Sequence, residues 1–368
     1  MAVAQIMNNE LLETSLTLGA KFLVTNQLEA GNFRYQYNFV TKQYDNDDNQ
    51  VRQAGALWGL ALIYRHRPSL QLQRAFLRGV DFFLKHAREK SGSAMYLTYP
   101  GERNGRSGAV ALFSLALIEY LGARPAVNHR QELLEILVKT LAFLMSLRTE
   151  EGRFSASYSY EDGVGFGAPS PYFDGEILLA LGKALLELKA PVPAKVLAES
   201  AEAMYRVYVV DALAKEPDSD LTKGFYQWGS MAYFQLINAG VLDSHTFGRR
   251  ILDLACWMID EHRTLSRRRN TGYAYEGLVT AYQTALRMKN EDLTNKIKRV
   301  IDEGLMKLTS WQVGSPVQND YLRTHFDGDV LALGGVMNHR AEPDLRIDVC
   351  QHQMHAVILA QTYVYTDT

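Results

Sequence analysis

The chain has 368 residues, 47% hydrophobic and 22% charged, a globular composition that excludes a disordered, fibrous or disulfide-scaffold protein. Thirty-nine basic residues against 41 acidic ones leave a formal charge of −2, so neither nucleic acid nor an anionic membrane is expected as a partner. Two cysteines, Cys256 and Cys350, read as free thiols of a reducing compartment.

Residues 1–18 carry Glu10 and Glu13 and no basic stretch leading into an apolar block, so no signal peptide is expected. The apolar runs at 54–64 and 108–118 fall short of the ~18–20 residues of a membrane span. A soluble, cytoplasmic protein is expected, of undetermined oligomeric state.

The first predicted element is an amphipathic helix over 6–23. A unit then recurs in which a loop rich in Gly, aromatic and polar residues enters a helix of small residues. Its starts are Ala54-Gly55-Ala56, Ser107-Gly108-Ala109, Asp174-Gly175-Glu176, Trp228-Gly229-Ser230, Glu276-Gly277-Leu278 and, with His in place of Gly, Gln351-His352-Gln353. From Gly55 to His352 is 297 residues over five intervals, the period of a helical hairpin with a long loop.

An amphipathic helix follows each of the first five starts: 72–87, 133–147, 194–208, 247–259 and 293–308. In 72–87, Phe76, Val80, Phe83 and Leu84 fall at helical spacing while Arg74, Arg78, Lys85 and Arg88 lie elsewhere. The sixth start has no partner after it, and the free helix at 6–23 supplies one. Six inner and six outer helices thus predict an all-α, single (α/α)6 toroid domain over 1–368. The alternative, an open α-solenoid, would not need its N-terminal helix to complete the last pair.

All inner helices of a toroid begin at one end, so the loops before them converge on one funnel. Those loops carry Tyr35, Tyr37, Asp48 and Arg52 in the first, Tyr96, Tyr99 and Arg106 in the second, Tyr158 and Tyr172 in the third, Lys223–Trp228 in the fourth, Tyr273 and Tyr275 in the fifth and His339 and Arg340 in the sixth. Aromatic rings beside carboxylates and arginines suit a carbohydrate, stacking on sugar faces and hydrogen-bonding hydroxyls. The same residues also serve as helix caps and loop plugs.

These small-residue starts and aromatic loops resemble the six-hairpin glycosidase superfamily, (α/α)6 toroids that include glycoside hydrolases, unsaturated glucuronyl hydrolases and N-acylglucosamine 2-epimerases. Related toroids occur in glucuronyl C5-epimerases and polysaccharide lyases. The resemblance spans nearly the whole chain and implies a carbohydrate substrate, but no signature transfers catalytic residues.

Glycoside hydrolysis requires a proton donor and a second carboxylate. Asp174 and Glu276, each one residue before a repeat glycine, are the expected pair, with Asp348 and the Asp45–Asp48 cluster next. Glu176, two residues farther into its helix than Asp174, is expected to pair with a neighbouring helix. Asp48, Arg52, Tyr37, Tyr172, Trp228, Tyr275, Arg340 and His355 are expected to bind substrate, the arginines favouring uronic acids.

Asp348, His352 and His355 fall at i, i+4 and i+7 on one helical face. An epimerase or lyase could use the two histidines as acid and base. Asp348, Cys350 and His352 also match the ligand types of catalytic zinc, although Cys350 points away from the histidine face. A glycan- or peptide-binding toroid without catalysis is a further alternative. The leading expectation is a hydrolase acting on an oligosaccharide or uronic-acid-containing glycan, with no cofactor and no metal.

Overall fold

The computed structural model describes residues 6–90, 92–125 and 129–366. Helix α1 (Asn9–Thr25) starts at Asn8, whose side chain accepts the Leu11 amide. A loop with strands β1 (Gln36–Asn38) and β2 (Gln43–Tyr44) leads to α2 (Gln50–His66) and α3 (Leu70–Lys85). Strands β3 (Ala87–Lys90), β4 (Ala94–Leu97) and β5 (Asn104–Arg106) precede α4 (Ser107–Gly122) and α5 (Arg130–Ser146). After β6 (Ser157–Ser159) and β7 (Gly165–Phe166) come α6 (Pro171–Leu188) and α7 (Ala194–Tyr205), which a π-helical turn, Arg206–Val210, joins to α8 (Asp211–Lys215). The remainder is α9 (Asp220–Asn238), α10 (Ser244–Asp260), α11 (Tyr273–Arg287), α12 (Glu291–Thr309), the short α13 (Asp320–His325), β8 (Asp344–Arg346) and α14 (Ile347–Tyr363).

Helices α2, α4, α6, α9, α11 and α14 each pack on the next, and α14 packs on α2, closing an inner ring. Helices α3, α5, α7, α10 and α12 cover it, and α1 covers α14. The fold is therefore the (α/α)6 toroid, with the N-terminal helix completing the last pair. The two helix types follow from their surroundings. Every residue of α4 from Ser107 to Leu121 is buried, because an inner helix touches neighbours on all sides and must be apolar all round. Helix α3 instead buries one stripe containing Leu72, Phe76, Val80 and Phe83, worth ~2 kcal/mol per large side chain.

Except for α4, which begins at Ser107, the inner helices begin before the small-residue starts. Helix α2 begins at Gln50 and α9 at Asp220, so Lys223–Trp228 is helix and not loop. Ser219 caps α9 by accepting the Leu221 amide at 3.3 Å, a start signal lying upstream of the glycine motif. Strand β1 pairs antiparallel with both β2 and β8, placing Tyr37 opposite Tyr44 and Leu345. The first and last long loops are thereby joined. Strand β6 lies between β5 and β7, joining the second and third.

This loop layer absorbs most of the tyrosines expected to line a funnel. Tyr158 donates to the Leu97 carbonyl at 2.6 Å, Tyr96 to that of Tyr160 at 3.1 Å and Tyr226 to that of Ala274 at 3.0 Å. A buried phenol needs a partner for its hydroxyl; Tyr158 and Tyr96 find theirs inside the layer, and Tyr226 between the inner helices α9 and α11.

Candidate active site

At the end of the ring where the inner helices begin lies a cavity of about 340 Å³, lined among others by Arg52, Tyr172, Glu176, Trp228, Tyr273, Asp348 and His352. Local structure fixes each of these. Asn49 caps α2 by accepting the Val51 and Arg52 amides, both at 3.1 Å, which sets Arg52 in the first turn. Gly272 brings Tyr273 in: a Cβ on it would stand 2.3 Å from the His352 carbonyl oxygen, so only glycine allows the start of α11 to lie against α14.

His352 lies in the second turn of α14, its Nδ1 2.8 Å from Glu276 Oε1. Glu276 is fully buried, and His355 Nδ1 lies 3.4 Å from the same oxygen. Burial alone would raise the Glu276 pKa, but the two imidazoles hold it well below the usual carboxylate range. In turn, burial opposes protonation of His352, and Glu276 outweighs it, leaving its pKa raised. An ionised Glu276 accepts the Nδ1 proton of His352 and leaves Nε2 as the basic nitrogen.

Glu176 has the opposite environment. It is buried, its Oε2 has no hydrogen-bond partner among the described residues, and burial raises its pKa well above the usual value. Carboxyls without a cation stay protonated in such surroundings. The space it occupies exists because residue 108 is glycine: a Cβ there would lie 2.4 Å from Glu176 Oε2 and 2.4 Å from the Phe173 ring. On the other wall, Asp348 is held by Arg346 Nη2 at 2.9 Å and approached by Arg52 Nε at 3.3 Å. The cavity therefore holds a protonated carboxyl, an imidazole–carboxylate pair and a carboxylate between two guanidiniums, beside the rings of Tyr172, Trp228 and Tyr273.

Of the residues read from the sequence, Arg52, Tyr172, Trp228, Asp348 and His352 meet at this cavity. Glu276 stands one layer behind His352. The expected pairing of Asp174 with Glu276 does not occur. Asp174 Oδ1 accepts the Phe154 amide at 2.8 Å and Oδ2 the Tyr208 hydroxyl at 2.6 Å, which commits both oxygens to the loop layer. Asp48 is likewise taken up by Gln53 and Tyr99. Tyr37 is in β1 with its hydroxyl on Asp329, and the hydroxyl of Tyr275 faces Asn270. Arg340 is exposed on its loop, and His355 lines a different cavity.

Cys350 Sγ is buried 3.6 Å from the Gly19 carbonyl on α1, away from His352, and among the described residues no group of three or more His, Cys, Asp or Glu is arranged to hold a metal. Glu176 and Gln351 line the cavity without having been expected there. The small residue at 108, facing the helix that bears Glu176, was the available signal for the first. Among the described residues no helix is long and apolar enough to cross a membrane.

No protein-family model and no curated protein matches the sequence. Solved structures do share its fold. A sugar epimerase from a ruminal bacterium is 12% identical with a TM-score of 0.63, over 98% of this chain and 100% of that one. Cellobiose 2-epimerase from Bacillus thermoamylovorans is 12% identical with a TM-score of 0.65, over 95% and 98%. An α-mannanase from Bacteroides thetaiotaomicron is 11% identical with a TM-score of 0.63, over 96% of each chain. The resemblance to (α/α)6-toroid enzymes read from the repeat thus holds at the level of fold, and identities this low carry the fold alone.

Proposed function

We propose that the protein is a carbohydrate-active enzyme that moves a proton at the carbon next to the carbonyl of a reducing sugar, as an epimerase or an aldose–ketose isomerase. One observation carries this reading: the cavity presents an imidazole, His352, whose rear nitrogen is held by a buried carboxylate, Glu276, at 2.8 Å. That arrangement makes and orients a base. A hydrogen α to a carbonyl is acidic enough for an imidazole to remove once the oxygen is stabilised.

In the proposed reaction His352 Nε2 takes the hydrogen from C2 of the open-chain sugar, and the C–H electron pair moves into the carbonyl to give an enediolate. Glu176, protonated, gives its proton to the developing oxyanion. His352 returns its proton to C1 to give the ketose, or to C2 after rotation about the C2–C3 bond has turned the opposite face toward it to give the epimer, and the hydroxyl proton goes back to Glu176 as the carbonyl re-forms. Trp228 and Tyr172 supply stacking faces, and Arg52 a cationic hydrogen-bond donor. The reaction needs neither metal nor redox cofactor. Structural relatives named for epimerase activity support the reading by bringing this fold to sugars.

Hydrolysis is the second reading, favoured by Glu176 and Asp348 lining the same cavity, one kept neutral by burial and the other ion-paired. One experiment separates the two. Aldoses and reducing disaccharides are incubated with the protein in D₂O and followed by NMR at C1 and C2. Appearance of the epimer or ketose, abolished in His352→Asn, supports the first reading. Release of new reducing ends from oligosaccharides with no change at C2 overturns it in favour of hydrolysis.

A further inference from the structure

The front cavity, at the end of the ring where the inner helices begin, carries an unbalanced cation near its rim. Besides two tyrosines, its ionisable lining is Arg52, Asp348, His352 and Glu176. Glu176 is kept neutral by burial, and His352 is paired with Glu276 behind it. Arg52 and Asp348 stand in the first turns of the adjacent helices α2 and α14. Asp348 is already satisfied. Arg346 Nε meets its Oδ1 at 3.0 Å and Arg346 Nη2 its Oδ2 at 2.9 Å, a two-bonded fork. Two guanidiniums therefore share one carboxylate.

Arg52 is the one left over. Its Nε approaches Asp348 Oδ2 at 3.3 Å, yet among the described residues none of its N–H groups makes a hydrogen bond and no second carboxylate pairs with it. The acidic run before α2 does not reach it, since Asp48 is taken up by Gln53 and Tyr99. The guanidinium lies over the Tyr35 ring, 5.3 Å from its centroid, which leaves the N–H groups in its own plane free. Its side chain is only 36% exposed. Burial, helped by Arg346, outweighs Asp348 and lowers its pKa, although an arginine stays charged throughout the working range. A partly desolvated cation with its Nη1 and Nη2 edge free is equipped to take two oxygens of one anion.

We propose that Arg52 binds an acid group, a carboxylate or a phosphate, at the end of an open-chain sugar remote from its carbonyl. The position of the carbonyl at His352 rests on the epimerase or isomerase reading; the acid site does not. The dimensions agree. Asp348 and His352 are one turn apart on α14, about 6 Å along the axis, and Arg52 stands level with Asp348. From C2 to C6 of an extended hexose is roughly 5 Å, given carbon–carbon bonds of about 1.5 Å. With C2 at His352, the substituent on C6 therefore reaches Arg52. A cavity of about 340 Å³ is at the small end of ligand pockets and suits one sugar unit. The substrate class is thus a hexuronate or a hexose 6-phosphate.

Binding of unreactive analogues tests the acid site without turnover. Hexitols of the gluco, manno and galacto series are titrated calorimetrically against their 6-phosphates and against the matching reduced hexuronates, none of which has a carbonyl to react. In at least one series an acid form binds about tenfold or more tightly than the neutral hexitol, and the acid that does so identifies carboxylate or phosphate. Arg52→Gln removes that preference, while Arg52→Lys, which keeps the charge without the fork, keeps part of it. Melting curves establish that both variants are folded. Acids that bind no more tightly than the hexitols in every series, or a preference that survives Arg52→Gln, overturn the inference. If an acid binds through Arg52 but its aldose parent shows no change at C1 or C2 in D₂O, the acid site stands and the epimerase or isomerase reading fails. Turnover of neutral hexoses without any preference for the acids leaves that reading standing and overturns the acid site.

Discussion

His352 Nδ1 lies 2.8 Å from a carboxylate, Glu276, that is fully buried, while the imidazole itself borders the front cavity. Glu276→Gln keeps the shape of that contact and removes its charge. The raised His352 pKa depends on the charge, and the base works only when neutral. In the wild type, activity therefore falls as pH drops through a value above the ordinary histidine range. In Glu276→Gln this acidic limb moves to lower pH, and kcat at the optimum drops on the order of 10²–10⁴-fold, as expected for loss of an oriented base. A pH profile of kcat/KM checks both; an unmoved limb removes Glu276 from the mechanism.

Glu176 sets the opposite limb. Burial raises its pKa in the folded protein, so its contribution to stability is fully present below the ordinary carboxylate pKa and is lost as pH rises through the folded value. Glu176→Gln should therefore be more resistant to heat than the wild type at alkaline pH and little different near pH 4. If Glu176 protonates the developing oxyanion, the same variant also loses the alkaline limb of the rate profile together with most of kcat. Thermal melts across pH read the first effect independently of any substrate.

The ring was legible because closure is a counting property: six small-residue starts and one unpaired amphipathic helix leave few other arrangements. His352, Asp348, Arg52, Tyr172 and Trp228 were legible for a related reason, since position in a repeat fixes which end of the ring a side chain occupies. Depth within the wall is not fixed by the repeat. Asp174 and Glu276 hold the same place before their glycines, yet one caps a loop through Phe154 and Tyr208 and the other sits behind His352. What distinguishes them is the identity of their partners, a π-helical turn carrying Tyr208 and an inner helix carrying two histidines. The tyrosines misled similarly. Strands that join successive loops turn most of them into a second small core, a pairing that no periodicity announces.

Gly108 shapes the cavity from a neighbouring helix. Alanine inside a helix is ordinarily favoured over glycine by ~1 kcal/mol, but here a Cβ would meet Glu176 Oε2 and the Phe173 ring at 2.4 Å. Gly108→Ala is expected to destabilise by about 1–3 kcal/mol through overpacking and to lower kcat at least tenfold by displacing Glu176. Denaturant unfolding and steady-state rates are the measurements. A stabilised, fully active variant would mean that Glu176 and Phe173 yield without consequence.

Asp174 separates a catalytic role from a structural one most sharply. Burial raises its pKa to about 7, so ionisation works against the fold: stability is full below the ordinary carboxylate range and declines as pH rises toward 7. Asn at this position still accepts the Phe154 amide and can donate to Tyr208, whose hydroxyl turns to accept. Asp174→Asn should therefore retain turnover within a few-fold and flatten the dependence of Tm on pH between about 4 and 7. Asp174→Ala leaves the Phe154 amide and the Tyr208 hydroxyl unpaired in a buried site, at a cost of about 2–4 kcal/mol. Loss of turnover in the Asn variant with an unchanged melting curve would return Asp174 to the catalytic machinery, and would require the π-helical turn carrying Tyr208 to move away when sugar binds.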